Sequence, residues 1–326
     1  MDFNFTDEQQ QFRDALRRYL DNEYAFDARR KIIASDAGVD AKHWRAFAEL
    51  GLLALPVPEA QGGFDGGPVD MLVACRSSGA RSSSSRIGRR RWVSKRCGGL
   101  HRLNCWSARW RAKSGWRLRS TSRTRATIFS ICARARVVDG DRFALSGTKS
   151  MVQHGAQADF WIVPARVDDE IAMFLVARNE RAITEYRTID GQRAATLTFD
   201  DTPATRIDDG HDGAALLEQI ADYATFLLCA EALGALDALN HASVEYTKER
   251  QQFGVPIARF QALQHRMVEM LIHTEQARSI TYLAASRYAS ADASTRAQAV
   301  SAAKARAGRL RASSDSRRCS CTAAWA

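Results

Sequence analysis

The sequence predicts an α+β multidomain fold, with an N-terminal helical domain, a small middle β-barrel or β-sandwich domain and a C-terminal helical bundle. Three observations support it: apolar residues recur with helical spacing near the N-terminus, the pattern becomes strand-like from Arg134, and helical spacing returns from Ala214. A chain of 326 residues also exceeds what one core usually supports. We therefore expect domains at residues 1–132, 133–212 and 213–326.

The N-terminal part begins with an amphipathic helix over residues 6–22. Thr6 is suited to cap this helix, and Gln9 stands three positions later as the partner of a capping box. A second helical face is formed by Trp44, Phe47 and Leu50, and Gly51 follows as its stop signal. The next stretch, LLALPVPEAQGGFDGG, is interrupted by proline and glycine and is typical of a loop.

The middle part has the alternation and the turn residues of a β domain. Two strands are expected on either side of the Asp139-Gly140 dipeptide, which favours a tight hairpin. Further short apolar runs bounded by turn residues predict strands at residues 159–165, 171–176 and 195–199. The domain would contain roughly eighty residues, within the usual range for an independent core.

The C-terminal part contains two long helical stripes that predict a helical pair or bundle. The first stripe consists of Leu216, Leu217, Ile220, Ala224, Leu227, Leu228, Leu233, Leu236 and Leu239. The second consists of Phe260, Leu263, Met267, Met270, Leu271, Thr274, Ala277 and Ile280.

Composition excludes several classes of protein. Apolar residues make up 45% of the chain and charged residues 26%, which is ordinary for a soluble globular protein. The chain contains no apolar run long enough for membrane insertion, and its acidic, polar start differs from a secretory signal. The 7 Cys and 7 His show no zinc spacing, so no metal site is expected. We expect a cytoplasmic protein with reduced thiols.

The net charge of +10 comes from one unusual block. From Arg76 to Arg134 there are 17 Lys or Arg and no Asp or Glu, whereas the rest of the chain is net acidic. A basic, Trp-rich insert could contact nucleic acid through phosphate attraction and base stacking. Nucleic-acid-binding proteins spread basic residues over folded faces, so we do not expect nucleic acid as a partner. A disordered basic linker is the other reading of this block.

The segment from Tyr246 to Gln261, YTKERQQFGVPIARFQ, matches every fixed position of the pattern Y-x-x-x-R-x-x-F-G-x-P-I-x-x-F-Q. This pattern is characteristic of the acyl-CoA dehydrogenase family, which the chain resembles over roughly three quarters of its length. The N-terminal stretch GLLALPVPEAQGGFDGGPVDML and the helical stretch LLCAEALGALDAL resemble the same family. The resemblance implies the three-domain fold given above and FAD as cofactor.

Two parts of the chain, residues 76–132 and 307–326, do not resemble the family as written. They resemble it when their codons are read in a shifted reading frame. Back-translated and shifted by one base, residues 312–326 permit a string that contains QLHGGMG, the adenosine-side flavin motif of the family. Residues 78–87 permit LGRALVVEPY and residues 122–131 permit EPHSRYDLFD, both similar to family sequence. We interpret residues 76–132 and 307–326 as frameshifted and the C-terminal domain as truncated.

The resemblance also assigns cofactor-binding residues. Arg250 would contact the pyrophosphate of FAD in a neighbouring subunit, Phe253 would lie near the adenine, and Gln261 would hydrogen-bond the cofactor. The alternatives are an exposed helix-end arginine, core packing of the phenylalanine and an ordinary exposed glutamine. Met151, Val152 and Gln153 replace the W-I-T that faces the flavin ring, and the Gln153 amide could still donate toward it.

The same comparison assigns the substrate contacts. Asp222 and Thr225 align with the D-x-x-R that contacts acyl-CoA, so one arginine contact is lost. No catalytic residue is found in the chain, because the resemblance places the catalytic base beyond residue 326. His154 is expected in a turn. We expect FAD to bind poorly or not at all, and dehydrogenase activity to be absent.

Three roles therefore remain open. The chain is an FAD-dependent dehydrogenase or its damaged remnant, a catalytically silent subunit of a homo- or hetero-oligomer with a larger homologous chain, or a nucleic-acid-binding protein. The electron-transfer partner, the acyl chain length and the oligomeric state cannot be read from the residues.

Overall fold

The computed structural model describes residues 5–35, 38, 40–80, 116–118, 133–139, 142–188, 193–208, 211–288 and 292–323. The helices are α1 (Asp7–Glu23), α2 (Phe26–Ala34), α3 (Ala41–Glu49), α4 (Pro68–Ala80), α5 (Gly213–Glu249), α6 (Gln261–Tyr288) and α7 (Ala293–Ala323). The strands are β1 (Trp116–Leu118), β2 (Ala133–Asp139), β3 (Arg142–Gln153), β4 (Phe160–Val167), β5 (Glu170–Ala177), β6 (Ile183–Arg187), β7 (Arg193–Arg206), β8 (Gln251–Gln252) and β9 (Val255–Pro256). Short 3-10 turns lie at Glu59–Gln61, Gly155–Gln157, Glu180–Ala182 and Ile257–Arg259.

The chain divides into two compact units. The first, here called the helical unit, comprises Met1–Phe26, Gly66–Arg89 and Asp222–Ala326; the second, the barrel unit, comprises Asp27–Asp65 and Arg90–Ala221. The N-terminal segment thus contributes α1 and α4 to the helical unit, and α2 and α3 to the barrel unit. The predicted order of a helical part, a β part and a second helical part is confirmed. The domain boundaries given above stay a prediction.

The sheet of the barrel unit closes on itself. Strand β3 pairs antiparallel with β2 and β7, β7 pairs with β5, β5 pairs with β4, and β4 returns to β2 through the pair Arg134 and Arg166. Strand β6 extends the sheet beside β7, and β1 extends it beside β4. The core inside includes Leu145, Trp161, Phe174 and Leu197, all at most 1% exposed. The expected strands at 171–176 and 195–199 lie within β5 and β7, and the one at 159–165 matches β4 except for Asp159, which precedes that strand.

The capping box expected at the first helix is present. The Thr6 hydroxyl accepts from the backbone N–H of Gln9, and the Gln9 side chain accepts from the Thr6 N–H. The same Gln9 amide donates to Asp70 of α4 at 2.9 Å, so one residue both caps α1 and joins it to α4. Gly51 has φ +72°, in agreement with its expected role as a helix stop.

Helix α4 was not anticipated from the sequence. It is buried around much of its circumference, and its buried residues are Met71, Leu72, Val73, Ala74, Cys75, Ser78 and Gly79. Such a helix lacks the one-sided pattern that identifies a surface helix. A Cβ at Gly79 would lie 1.9 Å from the Glu231 carbonyl oxygen, and one at Gly234 would lie 1.9 Å from that of Arg76. Two glycines therefore allow α4 and α5 to approach closely.

The segments interpreted as frameshifted are described only in part. Residues 81–115 and 119–132 lie outside the described residues, so the interpretation of 76–132 stays a prediction. Helix α7 runs through residue 307 to Ala323. Among the described residues, no helix combines the length and the apolar character needed to cross a membrane.

Candidate functional site

The Arg250–Gln261 segment has a defined geometry within the helical unit. Helix α5 ends at Glu249, and the Arg250 N–H still donates to the Tyr246 carbonyl at 2.9 Å. The Arg250 carbonyl accepts from the Ile257 N–H at 2.9 Å, which closes a small loop. Ile257 is fully buried, so it anchors the loop to the core. The backbone of Arg250 is therefore held from both sides while its side chain is exposed.

Phe253 occupies the tip of this loop. It and Gly254 link the short strands β8 and β9, and both have left-handed φ angles, +55° and +77°. A phenylalanine in that region is unusual, because its Cβ approaches the backbone carbonyl. The side chain is 76% exposed and touches Phe260 edge-on, with ring centroids 6.2 Å apart. The ring therefore lies outside the core of the helical unit.

Gln261 is the first residue of α6 and is exposed. A guanidinium, an exposed aromatic ring and a carboxamide therefore lie on one loop of twelve residues. These groups match a pyrophosphate, a purine and a polar edge, respectively. By the chemistry of its donors, the Arg250–Gln261 segment fits the adenosine diphosphate part of a dinucleotide.

The second group of predicted residues lies in the barrel unit, where β3 ends. Met151 is 45% exposed with φ +61°, Val152 is buried in the barrel core and Gln153 is half-buried. The Met151 N–H donates to the Tyr186 hydroxyl at 2.8 Å. His154 follows in a left-handed turn and is buried, as expected for a turn residue. The Gln153 carboxamide is compatible with hydrogen bonding to a flavin edge.

The predicted substrate residues lie near the start of the part of α5 that belongs to the helical unit. Asp222 accepts a hydrogen bond from the Arg296 Nε at 2.9 Å, and the Arg296 side chain is only 8% exposed. Thr225 is half-buried one turn further along. The sequence did not indicate Arg296, because 74 residues separate the two members of the pair. Asp222 therefore already neutralises a buried arginine on α7.

The carboxyl groups with resolved pKa shifts behave as ordinary surface acids. Hydrogen bonds from Arg13 and from Lys248 lower the pKa of Asp14 and of Glu245, respectively. The hydroxyl and backbone N–H of Thr295 lower the pKa of Asp292, which caps α7. A general base needs a pKa shifted upward, toward the working pH. In the described part of the chain, no His, Cys, Asp and Glu side chains group as a metal site would require.

The described residues thus supply three sets of candidate contacts, two on the helical unit and one on the barrel unit. Arg250, Phe253 and Gln261 lie together on the helical unit, and Met151, Val152 and Gln153 lie together on the barrel unit. Asp222 and Thr225 form a third set, also on the helical unit.

Two family models match the chain. The model described as "Acyl-CoA dehydrogenase, N-terminal domain" matches residues 6–90, and that described as "Acyl-CoA dehydrogenase, C-terminal domain" matches residues 211–314. Together they cover more than half of the chain. The second match contains the entire Arg250–Gln261 segment.

Similar proteins carry related names. The chain is 29% identical to "Benzylmalonyl-CoA dehydrogenase" of Aromatoleum aromaticum over 87% of this chain and 80% of that protein. Among solved structures, the "Tcur3481-Tcur3483 steroid ACAD G363A variant" superposes with a TM-score of 0.87 at 24% identity, covering 97% of this chain and 87% of that one. The "FAD complex of PigA" gives a TM-score of 0.82 at 21% identity, covering 98% and 88%. At these identities the structural likeness establishes the fold.

Proposed function

We propose, from the premise that this chain belongs to the acyl-CoA dehydrogenase family, that it has the framework of an FAD-dependent dehydrogenase but binds FAD weakly and has impaired activity. The family consists of oxidoreductases that act on the CH–CH bond of acyl-CoA thioesters. The observation that carries the proposal is the exposed Phe253 held in a left-handed turn between Arg250 and Gln261. A cytoplasmic location is part of the same proposal.

The residues of this chain would bind and orient the cofactor. Arg250 would neutralise the pyrophosphate of an FAD bound in a neighbouring subunit, Phe253 would lie near the adenine of that FAD and Gln261 would hydrogen-bond it. Gln153 would donate its carboxamide hydrogen to the polar edge of the flavin. When bound, FAD supplies the acceptor for the β hydrogen, which leaves as hydride.

Three features support impairment. Met151 stands where the family has a tryptophan, so less rigid aromatic surface faces the ring. Thr225 stands where the family has an arginine, so a cationic contact to acyl-CoA is missing. Asp222 pairs with Arg296 within the helical unit, which leaves less of its charge for a ligand. We also propose that frameshifts over residues 76–132 and 307–326 contribute to the loss.

The substrate that we propose to test first is pimeloyl-CoA. In overall similarity, the chain resembles the small subunit of pimeloyl-CoA dehydrogenase. The relative benzylmalonyl-CoA dehydrogenase is also named for a dicarboxylic acyl-CoA. An assay that follows the reduction of an artificial electron acceptor in the presence of pimeloyl-CoA would show turnover directly. Turnover at rates typical of enzymes would contradict impairment.

The experiment that tests the flavin site is a titration of the purified chain with FAD. We expect less than one flavin per chain after purification and weak binding of added FAD. Arg250→Ala should lower the remaining affinity by about tenfold or more, because a charged hydrogen bond to phosphate is lost. Arg259→Ala is the matched control, since Arg259 is exposed in the same segment but is not a fixed position of the motif.

The outcomes separate the two parts of this proposal. Flavin at unit stoichiometry after purification would contradict impairment. No binding at millimolar FAD, or equal effects of the two arginine variants, would contradict the assigned flavin site. Resequencing the coding DNA for residues 70–140 and 300–326 tests the cause of the frameshifts. Compensating single-base changes that restore EPHSRYDLFD and QLHGGMG would show a sequencing error and would contradict impairment of the natural protein. Unchanged bases would mean that the gene itself is frameshifted or that the basic block is genuine.

A second candidate role is that of a silent subunit that pairs with a homologous chain. On the helical unit, α5 and α6 form an apolar groove with a cavity volume of about 370 Å³. Its lining consists of Asn240, His241, Ser243, Val244, Glu245, Met267, Val268, Met270 and Leu271. Val268 and Leu271 of its α6 side are half exposed, and the next residue on that helix, Ile272, is half exposed as well. Exposed apolar patches of this kind commonly mark protein contacts.

Asn240 lines this apolar groove and forms a polar contact beside it. The Asn240 Nδ2 donates to the Thr274 hydroxyl at 2.8 Å, and that hydroxyl donates to the Met270 carbonyl at 2.9 Å. This chain of bonds determines the orientation of the Asn240 amide. The bond between Asn240 and Thr274 links α5 to α6 at the groove.

Sedimentation of the chain, alone and with the larger homologous subunit, tests the silent-subunit role. We expect association that Leu271→Glu weakens at least tenfold, because a charge would be buried at the contact. Leu283→Glu, on the same helix and 40% exposed, is the control and should have little effect. Monomers at all concentrations, or equal effects of both variants, would contradict this role.

A further inference from the structure

Strand β3 contains an irregularity just before Met151. Lys149 pairs with Leu197 of β7, whereas Val152 pairs with Ala195, so β3 uses three steps where β7 uses two. One residue of β3 is therefore extra, which defines a β-bulge. Met151 lies within this bulge and has the left-handed φ of +61°. A bulge takes backbone groups out of the strand ladder, so another acceptor must satisfy the Met151 N–H.

Tyr186 provides that acceptor from two strands away. It lies on β6 and pairs with Ala194 of β7, and β7 separates β6 from β3 at this point. Directly paired residues share a face of the sheet, so the tyrosyl side chain and the Ala194 methyl lie on the same side. Two strand spacings are about 9–10 Å. A tyrosine can bridge that gap where the intervening residue is as small as alanine.

The hydroxyl bond at 2.8 Å selects one conformation of the bulge. A left-handed backbone is unfavourable for a non-glycine residue and persists only where surrounding contacts require it. The two adjacent residues Met151 and Val152 lie in different environments. Val152 is buried in the core, whereas Met151 is 45% exposed. The orientation of Met151 and Gln153 toward solvent thus depends on the backbone conformation at Met151.

We propose that Tyr186 is a positioning residue of the flavin site: its hydroxyl accepts the Met151 N–H and holds the bulge that presents Met151 and Gln153 to the flavin, while Val152 anchors the bulge in the core. This inference rests on the proposed function, which assigns Met151 and Gln153 to the cofactor. Tyr186 itself acts through Met151 and need not touch the ligand. Its role is to organise the segment before the cofactor arrives, which reduces the entropy lost on binding.

The test compares Tyr186→Phe with Tyr282→Phe. Both changes remove only a hydroxyl; the Tyr282 hydroxyl accepts a hydrogen bond from Arg76 in the helical unit at 2.9 Å. Two quantities are measured: hydrogen exchange of the Met151 amide, and FAD binding together with the visible spectrum of the bound flavin. For Tyr186→Phe we expect about tenfold faster exchange at Met151. For Tyr186→Phe we also expect about tenfold weaker FAD binding and a shift of the visible absorption band of the bound flavin. Tyr282→Phe, the control, should show neither change.

Each outcome decides a separate question. Unchanged exchange at Met151 in Tyr186→Phe would overturn the hydrogen-bond role. Faster exchange with unchanged FAD affinity and spectrum would overturn the positioning role while leaving the proposed function intact. Absence of FAD binding in the unsubstituted chain and in Tyr282→Phe would overturn the flavin site, and the positioning role with it. Faster exchange together with weaker binding and a shifted band supports the inference.

Discussion

The helical unit and the barrel unit hold their elements together in different ways. In the helical unit, Asp237 of α5 accepts from Arg76 of α4 at 2.8 Å and from Arg278 of α6 at 2.7 Å, so one carboxylate joins three helices. In the barrel unit, the strands are joined by a backbone ladder around a hydrophobic core, and the buried Asp208 accepts from Arg206 and from the Met173 N–H. Arg187 and Arg193 there donate to the carbonyls at the end of α2 instead.

This difference between the two units follows from the partners of their backbone hydrogen bonds, which lie within one helix but between neighbouring strands. A helix satisfies its backbone internally, so neighbouring helices can be linked only by side chains. A strand satisfies its backbone with the next strand, so the ladder itself sets the register. Side-chain contacts, among them the ion pairs of Asp237 and the buried cluster of Leu233, Leu236 and Ala277, therefore join the helices, whereas the backbone ladder joins the strands.

The largest expected effect comes from the barrel core. Phe174 is fully buried and packs edge-on against Phe143 at 5.1 Å. Phe174→Ala should lower the free energy of unfolding by about 3–5 kcal/mol, because it removes a buried ring and leaves a cavity. Chemical denaturation measures the loss, and hydrogen exchange locates it in β3, β5 and β7. Phe64→Ala, in the same unit at 62% exposed, is the control. Similar losses of unfolding free energy in Phe174→Ala and Phe64→Ala would contradict the conclusion that burial of the Phe174 ring stabilises the barrel unit.

The next effect concerns the ionic contacts of the helical unit. Asp237→Asn should lower the free energy of unfolding by about 3 kcal/mol, because two arginines lose their shared charge. The three side chains are only 26–28% exposed, so solvent screens them weakly. The control is Asp201→Asn, whose pair with Arg136 is more than 60% exposed and should contribute less than about 0.5 kcal/mol. Equal losses in denaturation would show that burial does not distinguish the pairs.

The buried thiol of α5 predicts a pH dependence. Burial raises the pKa of Cys229 to about 11 from its ordinary value of 9.0. The unfolded thiol therefore loses its proton first, and stability present below pH 9 falls as the pH rises toward 11. The loss should be about 2–3 kcal/mol. Comparing the denaturation midpoints of wild type and Cys229→Ala between pH 8 and 11 isolates the contribution of this thiol. If stability falls with pH equally in both proteins, the raised pKa of Cys229 is contradicted.

The smallest expected effect is at the start of α1. Thr6→Ala removes the acceptor for the Gln9 N–H and should lower the free energy of unfolding by about 1 kcal/mol. Thr6→Ser keeps the acceptor and should restore most of the stability. Gln9→Ala should have the larger effect of the two helix-cap positions, since Gln9 also bonds Asp70. Denaturation measures all three variants, and a smaller loss for Gln9→Ala than for Thr6→Ala would show that the link to α4 contributes nothing.

Much of the fold could be predicted from local pattern. The capping box of Thr6 and Gln9 was confirmed because a cap depends on residues three apart. The strands of the middle domain were anticipated because alternation records which side chains face the core. Helix α4 was missed because a helix buried on most sides has no amphipathic signal. The exposure of Leu271, which its spacing placed on a buried stripe, was also missed, since spacing identifies an apolar stripe without showing what covers it.

The candidate site divides in the same way. The sequence by itself determined the family, because the fixed residues of the Arg250–Gln261 segment keep their spacing along one loop. The roles of Arg250, Phe253, Gln261 and Met151–Gln153 stay predictions. Only the tertiary structure showed that Arg296 neutralises Asp222 and that Tyr186 supports Met151. Both contacts join residues that are 35 or more positions apart. The physical reason is that hydrogen bonds and ion pairs act over a few ångströms in space, and only the folded chain brings such residues within that range.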